Sequence, residues 1–263
     1  LKPWQVGEVI KLVDQGNTIP FIARYRKEAT GELDETSLRS IVERLEYLRT
    51  LEKRKEEVLR LIDEQGKLDD LLKMKILKAV KLQEVEDLYR PYKQKKKTRA
   101  SIAREKGLEP FAQWLLSQPA EGDPVKEALN YINPELGINN EQDAQSGALD
   151  IIAEDVSDDA EIRKLVRLKT YESADIVAKA KKEERSPYEM YYEYREPVKK
   201  IPPHRILALN RGEKEEYLAV SIDTDSAEIM ALIEKKYLQS GPCRSLVAKA
   251  IQDSYKRLLS PSI

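Results

Sequence analysis

Residues 34–63 read DETSLRSIVERLEYLRTLEKRKEEVLRLID. Leu38, Ile41, Val42, Leu45, Leu48, Leu51, Val58, Leu59 and Ile62 recur at three- and four-residue steps, the period of one helix face. Asp34 has the side chain of an N-cap, and Gly66 is the next breaker. The spacing predicts one helix of about 30 residues, about 45 Å long at 1.5 Å per residue. Charges of both signs fill its other faces, one turn apart, so Lys53-Arg54-Lys55-Glu56-Glu57 reads as a solvated face. A helix of this length is the spine of a helical fold.

The same period continues outward. Before the spine, Val6, Val9, Ile10 and Val13 mark a short helix over 4–15, ended by Gly16-Asn17. Pro20 suits the first turn of a second short helix running to Lys27, with Thr18 as its cap. After the spine, helical spacing covers 69–82, 109–118, 124–132, 141–156, 159–170 and 172–184. Pro91 makes Tyr89-Arg90-Pro91-Tyr92 a loop. Beyond Pro197 the pattern changes: Arg205–Asn210 and Tyr217–Ile222 read as two strands of a β-hairpin about the polar turn 211–216. Two helices, about 225–239 and 244–259, close the chain and are expected to pack back against the first ones. The fold class is therefore mainly all-α, multihelical, with a long central helix and one small β-hairpin. Three blocks are expected: 1–105, 106–200 and 201–263.

Composition narrows the chemistry. The 263 residues carry 35% charged and 41% hydrophobic side chains, with a mean hydropathy of −0.61. No run approaches 18 apolar residues, so no membrane span is expected. One cysteine, Cys243, and one histidine, His204, exclude an internal disulfide and the usual four-ligand His/Cys zinc cluster. The shortage of cysteine suits a reducing cytoplasm. Phosphate-cradling loops of the G-x-x-x-x-G-K-[ST] or G-x-G-x-x-G kind are absent. A Cys–His dyad is a nucleophilic pairing that one Cys and one His allow, but nothing local to Cys243 supplies an activating base. Asp155, Asp158, Asp159 and Glu161 lack the glycine and spacing of an EF-hand loop and read as a solvated acidic face. The expectation is a non-enzymatic protein with no catalytic residue, metal or cofactor.

A net charge of −1 conceals a sorting by region. Residues 1–120 hold 25 Lys/Arg against 20 Asp/Glu, residues 121–161 hold Lys126 against 12 acids, and residues 162–263 hold 20 against 15. The most basic stretch, Arg90–Lys106, has Arg90, Lys93, Lys95, Lys96, Lys97, Arg99, Arg104 and Lys106 against Glu105 alone. A loop so charged attracts polyphosphate backbones, since each neutralised phosphate releases counterions, and Tyr89 and Tyr92 could stack on unpaired bases. The alternative is neutralisation by the acidic segment 121–161. Arg24, Arg26 and Lys27 form a second basic spot. With the two short helices joined at Gly16-Asn17 they meet the loose description of a helix-turn-helix. The alternative is that Arg24 and Arg26 pair with Glu28, Glu32 or Asp34. Tyr188, Tyr191, Tyr192 and Tyr194 alternate with glutamates and read as core or interface packing.

Three stretches together resemble one family: Asn17–Glu35 (NTIPFIARYRKEATGELDE), Gln83–Pro110 (QEVEDLYRPYKQKKKTRASIAREKGLEP) and Pro202–Lys214 (PPHRILALNRGEK). They resemble the Tex family of bacterial transcription accessory proteins, in order and over essentially the whole chain. That resemblance implies a cytoplasmic, nucleic-acid-binding protein connected with transcription. It further implies a longer protein, of which this is the N-terminal helical region. A YqgF-type RNase-H-like domain, helix-hairpin-helix elements and a C-terminal RNA-binding OB-fold domain would follow, the last dominating nucleic-acid binding. The expected partners are RNA or DNA, weakly for this region alone, the transcription machinery, and downstream domains of the same chain. A protein-interaction scaffold, docking those domains or RNA polymerase without touching nucleic acid, is the alternative reading.

Overall fold

The structure, a computed structural model, describes residues 1–94, 96–182 and 184–263. The chain divides into two compact units, Leu1–Tyr92 and Lys93–Ile263.

The first unit is built on the predicted spine. Its helices are α1 (Pro3–Asp14), α2 (Ile19–Tyr25), α3 (Glu35–Asp63), α4 (Asp70–Lys78) and α5 (Leu82–Tyr89), followed by a 3-10 turn, Arg90–Tyr92. Asp34 caps α3 as expected, its carboxylate accepting from the Ser37 N–H at 2.7 Å. The 29 residues of α3 serve two local cores. Leu38, Ile41 and Val42 pack with Val9, Leu12, Ile22 and Leu33, while Leu51, Val58 and Ile62 pack with Leu72, Ile76, Val85 and Tyr89. Pro20 takes the first turn of α2, where its missing N–H costs nothing.

The Lys53–Glu57 stretch is not simply a solvated face. Lys55 is 5% exposed, and its Nζ donates to Glu52 at 2.7 Å and to the Leu77 carbonyl at 3.0 Å. Arg54 binds Glu57 and Glu86 and lies 5.4 Å over the Tyr89 ring. Both tie α3 to the helices packed beneath it.

The second unit contains α6 (Arg99–Glu105), α7 (Glu109–Ser117), α8 (Pro124–Leu129), α9 (Glu141–Asp158), α10 (Ala160–Ser173), β1 (Asp175–Ala180), β2 (Glu193–Pro197), α11 (Pro203–Lys214), β3 (Leu218–Asp223), α12 (Ser226–Tyr237) and α13 (Arg244–Asp253). A wider turn, Ser254–Leu259, continues α13. The central element is α9, which buries Ala144, Ala148, Ile151, Ile152, Ala153 and Val156. Small residues let its neighbours approach closely: a Cβ on Gly147 would collide with Leu108 Cδ1 and meet Ala103 Cβ at 3.4 Å. Ile229, Ile233, Val247 and Ile251 join this same core, so α12 and α13 pack on helices of their own unit and the expected boundary at 200 does not separate two cores.

The β structure differs from the sequence reading. Residues 205–210, read as a strand, lie in α11. Pro203 opens that helix, and Leu209 and Gly212 are buried one turn apart. A short apolar run does not by itself distinguish strand from helix. Conversely β1 lies where helix was expected over 172–184, with Ile176 and Ala178 turned to the core at a two-residue period. The predicted strand over 217–222 is present as β3, but its partner is β1. The order is β2-β1-β3, antiparallel throughout, with Ile176 opposite Glu196 and Ile222. Tyr188 and Tyr191 are buried beneath this sheet with Leu209 and Leu218, the packing role expected of the tyrosine cluster.

Candidate nucleic-acid interface

The basic stretch is not one loop. Arg90 and Tyr92 fall in the turn that ends the first unit, whereas Lys93 onward belongs to the second, and Lys95 lies outside the described residues. Residues 99–105 form α6, whose Thr98 cap accepts from the Ser101 N–H at 3.0 Å. Thr98 and Ser101 form a reciprocal capping box, a helix-start signal that the run of lysines conceals.

Several of the predicted cations are already engaged. Arg104 is the hub of an ion-pair cluster, donating to Glu109 at 2.7 Å, Glu154 at 2.7 Å and Asp155 at 2.5 Å. This is the neutralisation by the acidic segment that the charge sorting allows, and it removes Arg104 from the candidate phosphate contacts. Burial, with Glu109, Glu154 and Asp158 nearby, outweighs Arg104 and pushes the Asp155 carboxyl up to about 6. Lys97 reaches Glu105 at 3.5 Å with both side chains exposed, a pairing worth little. Arg99 and Lys106 line a cleft of about 260 Å³ opposite Asp143 and Asp150, so neither faces a purely cationic surface. Lys93 and Lys96 are exposed and, among the described residues, neither has a carboxylate within ion-pair distance. Tyr89 is 8% exposed and packs in the second core of α3, so its ring is closed to a base. Tyr92 is half-buried against the same core, and Arg90 is half-buried in the turn.

The second basic spot is more open. Phe21 and Tyr25, four residues apart on α2, pair their rings at 5.2 Å and remain 38% and 62% exposed. Arg24 lies 6.0 Å over Tyr25 and Arg26 5.7 Å over Phe21. The expected ion pairs of Arg24 and Arg26 with Glu28, Glu32 or Asp34 do not form among the described residues. Asp34 is held by its capping bond, and the Ser37 side chain together with that N–H lowers its carboxyl below the ordinary range. Arg24 and Arg26 thus flank two exposed rings, and exposed Lys27 follows α2 in sequence. The F-x-x-x-Y spacing is a signal the sequence reading passed over.

Other candidates resolve into structure. Asp159 caps α10 and binds Lys236 at 2.7 Å and Tyr237 at 2.7 Å, and Asp158 is buried, so this acidic stretch is not a solvated face. No group of three or more His, Cys, Asp or Glu suited to a metal occurs among the described residues. Cys243 is fully buried and burial pushes its thiol up, the reverse of an activated nucleophile. Among the described residues no helix is long and apolar enough to cross a membrane.

Two family descriptions match this chain: a Tex-like protein N-terminal domain over residues 1–63 and a Tex central region-like segment over residues 119–257. The chain belongs to the Tex family. It is 49% identical over 264 residues to the Bacillus subtilis protein YdcI, covering 98% of this chain and 37% of that protein. It is 44% identical over 221 residues to the transcriptional accessory protein Tex of Neisseria gonorrhoeae, covering 83% and 29%. A human S1 RNA-binding domain-containing protein 1 is 31% identical over 280 residues, covering 99% and 28%. The chain thus spans between 28% and 37% of the length of these relatives. The N-terminal family segment, residues 1–63, takes in α2 and the spine α3.

Proposed function

We propose that this chain is a non-catalytic helical module of a transcription accessory protein, working in the cytoplasm and contributing cationic contacts to RNA or DNA backbone. The carrying observation is the acid-free run Lys93–Arg99, in which Lys93 and Lys96 are exposed and without a carboxylate partner among the described residues. Arg104, bound by three carboxylates, acts in holding α6 on α9 and not in the contact. The α2 group adds what phosphate contacts lack: two exposed rings flanked by Arg24 and Arg26 can stack on unpaired bases while these cations and Lys27 meet the backbone. Stacking of this kind favours single strands over duplex. The name of the gonococcal relative supports a transcription role, and that of the human relative supports RNA as the polymer.

The test is binding of the chain to labelled single-stranded RNA and to duplex DNA across a salt series. If about six duplex phosphates are engaged, affinity falls roughly 10³-fold between 50 and 200 mM salt. The triple variant Lys93→Glu, Lys96→Glu, Lys97→Glu should lower that salt slope by about one unit per lost contact. Tyr25→Ala should weaken the RNA complex and leave duplex binding nearly unchanged. No binding at 50 mM salt, or a slope unmoved by the triple variant, refutes the reading.

A further inference from the structure

The helix α4 is amphipathic twice over. Leu72 and Ile76 turn inward and are buried with Val58 and Ile62. Leu71, Met74 and Leu77 turn outward, 60%, 49% and 51% exposed, and Val80, 62% exposed, extends the line past the helix end. On a nine-residue helix this is a second apolar stripe, running at a three-residue step that keeps its members neighbours along the helix surface.

The charge around the stripe is predominantly positive, with exposed Asp70, in the first turn, as the one acid of α4. From Leu71 to Gln83 the sequence holds Lys73, Lys75, Lys78 and Lys81 and no Asp or Glu. All four lysines are exposed, and among the described residues none lies within ion-pair distance of a carboxylate. At about 100° per residue, Lys73 falls on one side of the stripe and Lys75 and Lys78 on the other. Three nearby carboxylates are engaged elsewhere: Asp69 caps α4 at the Leu72 N–H, Glu52 pairs with Lys55, and Glu84 accepts from the Val80 N–H. The face is therefore apolar along its centre, cationic along the Lys75–Lys78 edge, and carries Lys73 behind Asp70 on the other. Isolated exposed leucines are ordinary, whereas an aligned row with a charged rim marks an interaction surface.

We propose that the outer face of α4 is a docking site for an acidic amphipathic helix of a partner protein. Apolar residues of the partner cover Leu71, Met74 and Leu77, and its Asp or Glu residues meet Lys73, Lys75 and Lys78. Complementary charge would steer the encounter and fix the orientation, and the apolar row would supply the hold. Nucleic acid fits less well, because the edges of leucine and methionine offer no stacking plane. This surface is distinct in chemistry from the proposed backbone contacts and does not depend on them.

The probe is a fluorescein-labelled 16-residue peptide with leucines at helical i, i+3, i+7 positions and glutamates on the flanks, titrated against the chain by anisotropy. Saturable binding at a Kd of about 10–100 μM is expected, the range of a small interface. Leu71→Asp with Leu77→Asp should weaken it at least tenfold. Lys75→Glu with Lys78→Glu should reverse the preference toward the same peptide with lysines in place of glutamates. All four side chains are exposed, so the circular dichroism melt should be unchanged in both variants. If the leucine pair alters the melt, the lysine pair still decides. Absent binding, equal affinity for the acidic and basic peptides, or indifference to both variants overturns the proposal. So does binding of the chain to vesicles of phosphatidylcholine and phosphatidylserine with the peptide ignored, or self-association lost in the leucine variant.

Discussion

Substituting Arg104 with methionine separates a structural cation from a ligand-binding one. The guanidinium holds Glu109, Glu154 and Asp155 at once. The exposures differ: the Glu154 side chain is 11% exposed and that of Asp155 42%. A half-exposed pair contributes at most about 1 kcal/mol, whereas a buried carboxylate left without its partner costs about 3–5 kcal/mol. With one buried and two partly exposed partners, R104M should cost about 2–4 kcal/mol at pH 8. The pH dependence has a definite sign. The Asp155 carboxyl is already raised to about 6 in the fold against 3.8 unfolded, so its contribution is fully present below 3.8 and is lost as pH rises through 6. Removing Arg104 raises that carboxyl further and carries the loss to higher pH. The destabilisation should therefore be greater at pH 8 than at pH 5. Urea unfolding in a Trp4→Phe background leaves Trp114, packed on the core of the second unit, as the sole tryptophan reporter. A loss under 0.5 kcal/mol at pH 8, or a larger loss at pH 5, refutes the hub assignment. RNA affinity that drops with stability intact would return Arg104 to the contact set.

Two further outcomes test the packing. Lys55→Ala should cost about 2–3 kcal/mol by deleting a buried stem and its bond to the Leu77 carbonyl, while Lys55→Met keeps the stem and should stay within about 1 kcal/mol of the parent by urea midpoint. Gly147→Ala should destabilise by about 1–2 kcal/mol because its Cβ meets Leu108. Gly7→Ala, which meets nothing within 4 Å in α1, should gain up to about 1 kcal/mol from helix propensity alone, and thermal melts of the pair give opposite signs.

The spine was legible because its signal is long: nine apolar residues at one period outvote local ambiguity, and Asp34 supplied the cap. Lys55 shows where such a reading stops. It stands four residues after Leu51 and three before Val58, within the apolar stripe, so its position foretold burial although its chemistry suggested solvent. The strands were misassigned where the evidence is shortest. The six residues of β1 and the start of α11 have apolar runs that fit either period, and only the antiparallel partners and Pro203 decide between them. The candidate interface was legible in charge but not in pairing. Nothing in the run Arg90–Lys106 tells Arg104 from Lys96, because the partners of Arg104 lie some fifty residues away on α9.

That long-range pairing also explains why the net charge is uninformative. Four acids of 121–161 are committed to cations within their own unit: Glu154 and Asp155 to Arg104, Asp150 to Arg257, and Asp159 to Lys236, with Tyr237 and the α10 cap as further partners of Asp159. The cations without a carboxylate partner that concern binding are divided between chemically different settings: rings beside Arg24 and Arg26, open lysines at 93 and 96, and leucines between the lysines of α4. Unneutralised charge beside rings suits bases, and beside aliphatic side chains it suits a protein helix. The two losses should then be separable. The Lys93/Lys96/Lys97 charge reversal should reduce RNA affinity and spare the acidic peptide, and the Leu71/Leu77 pair should do the opposite. Charge alone cannot produce that double dissociation, because either variant would then weaken both ligands in proportion to the positive charge each one sees. Parallel losses across both ligands, scaling with net charge and vanishing together at high salt, would mean that the chain presents a diffuse positive field and not two recognition surfaces.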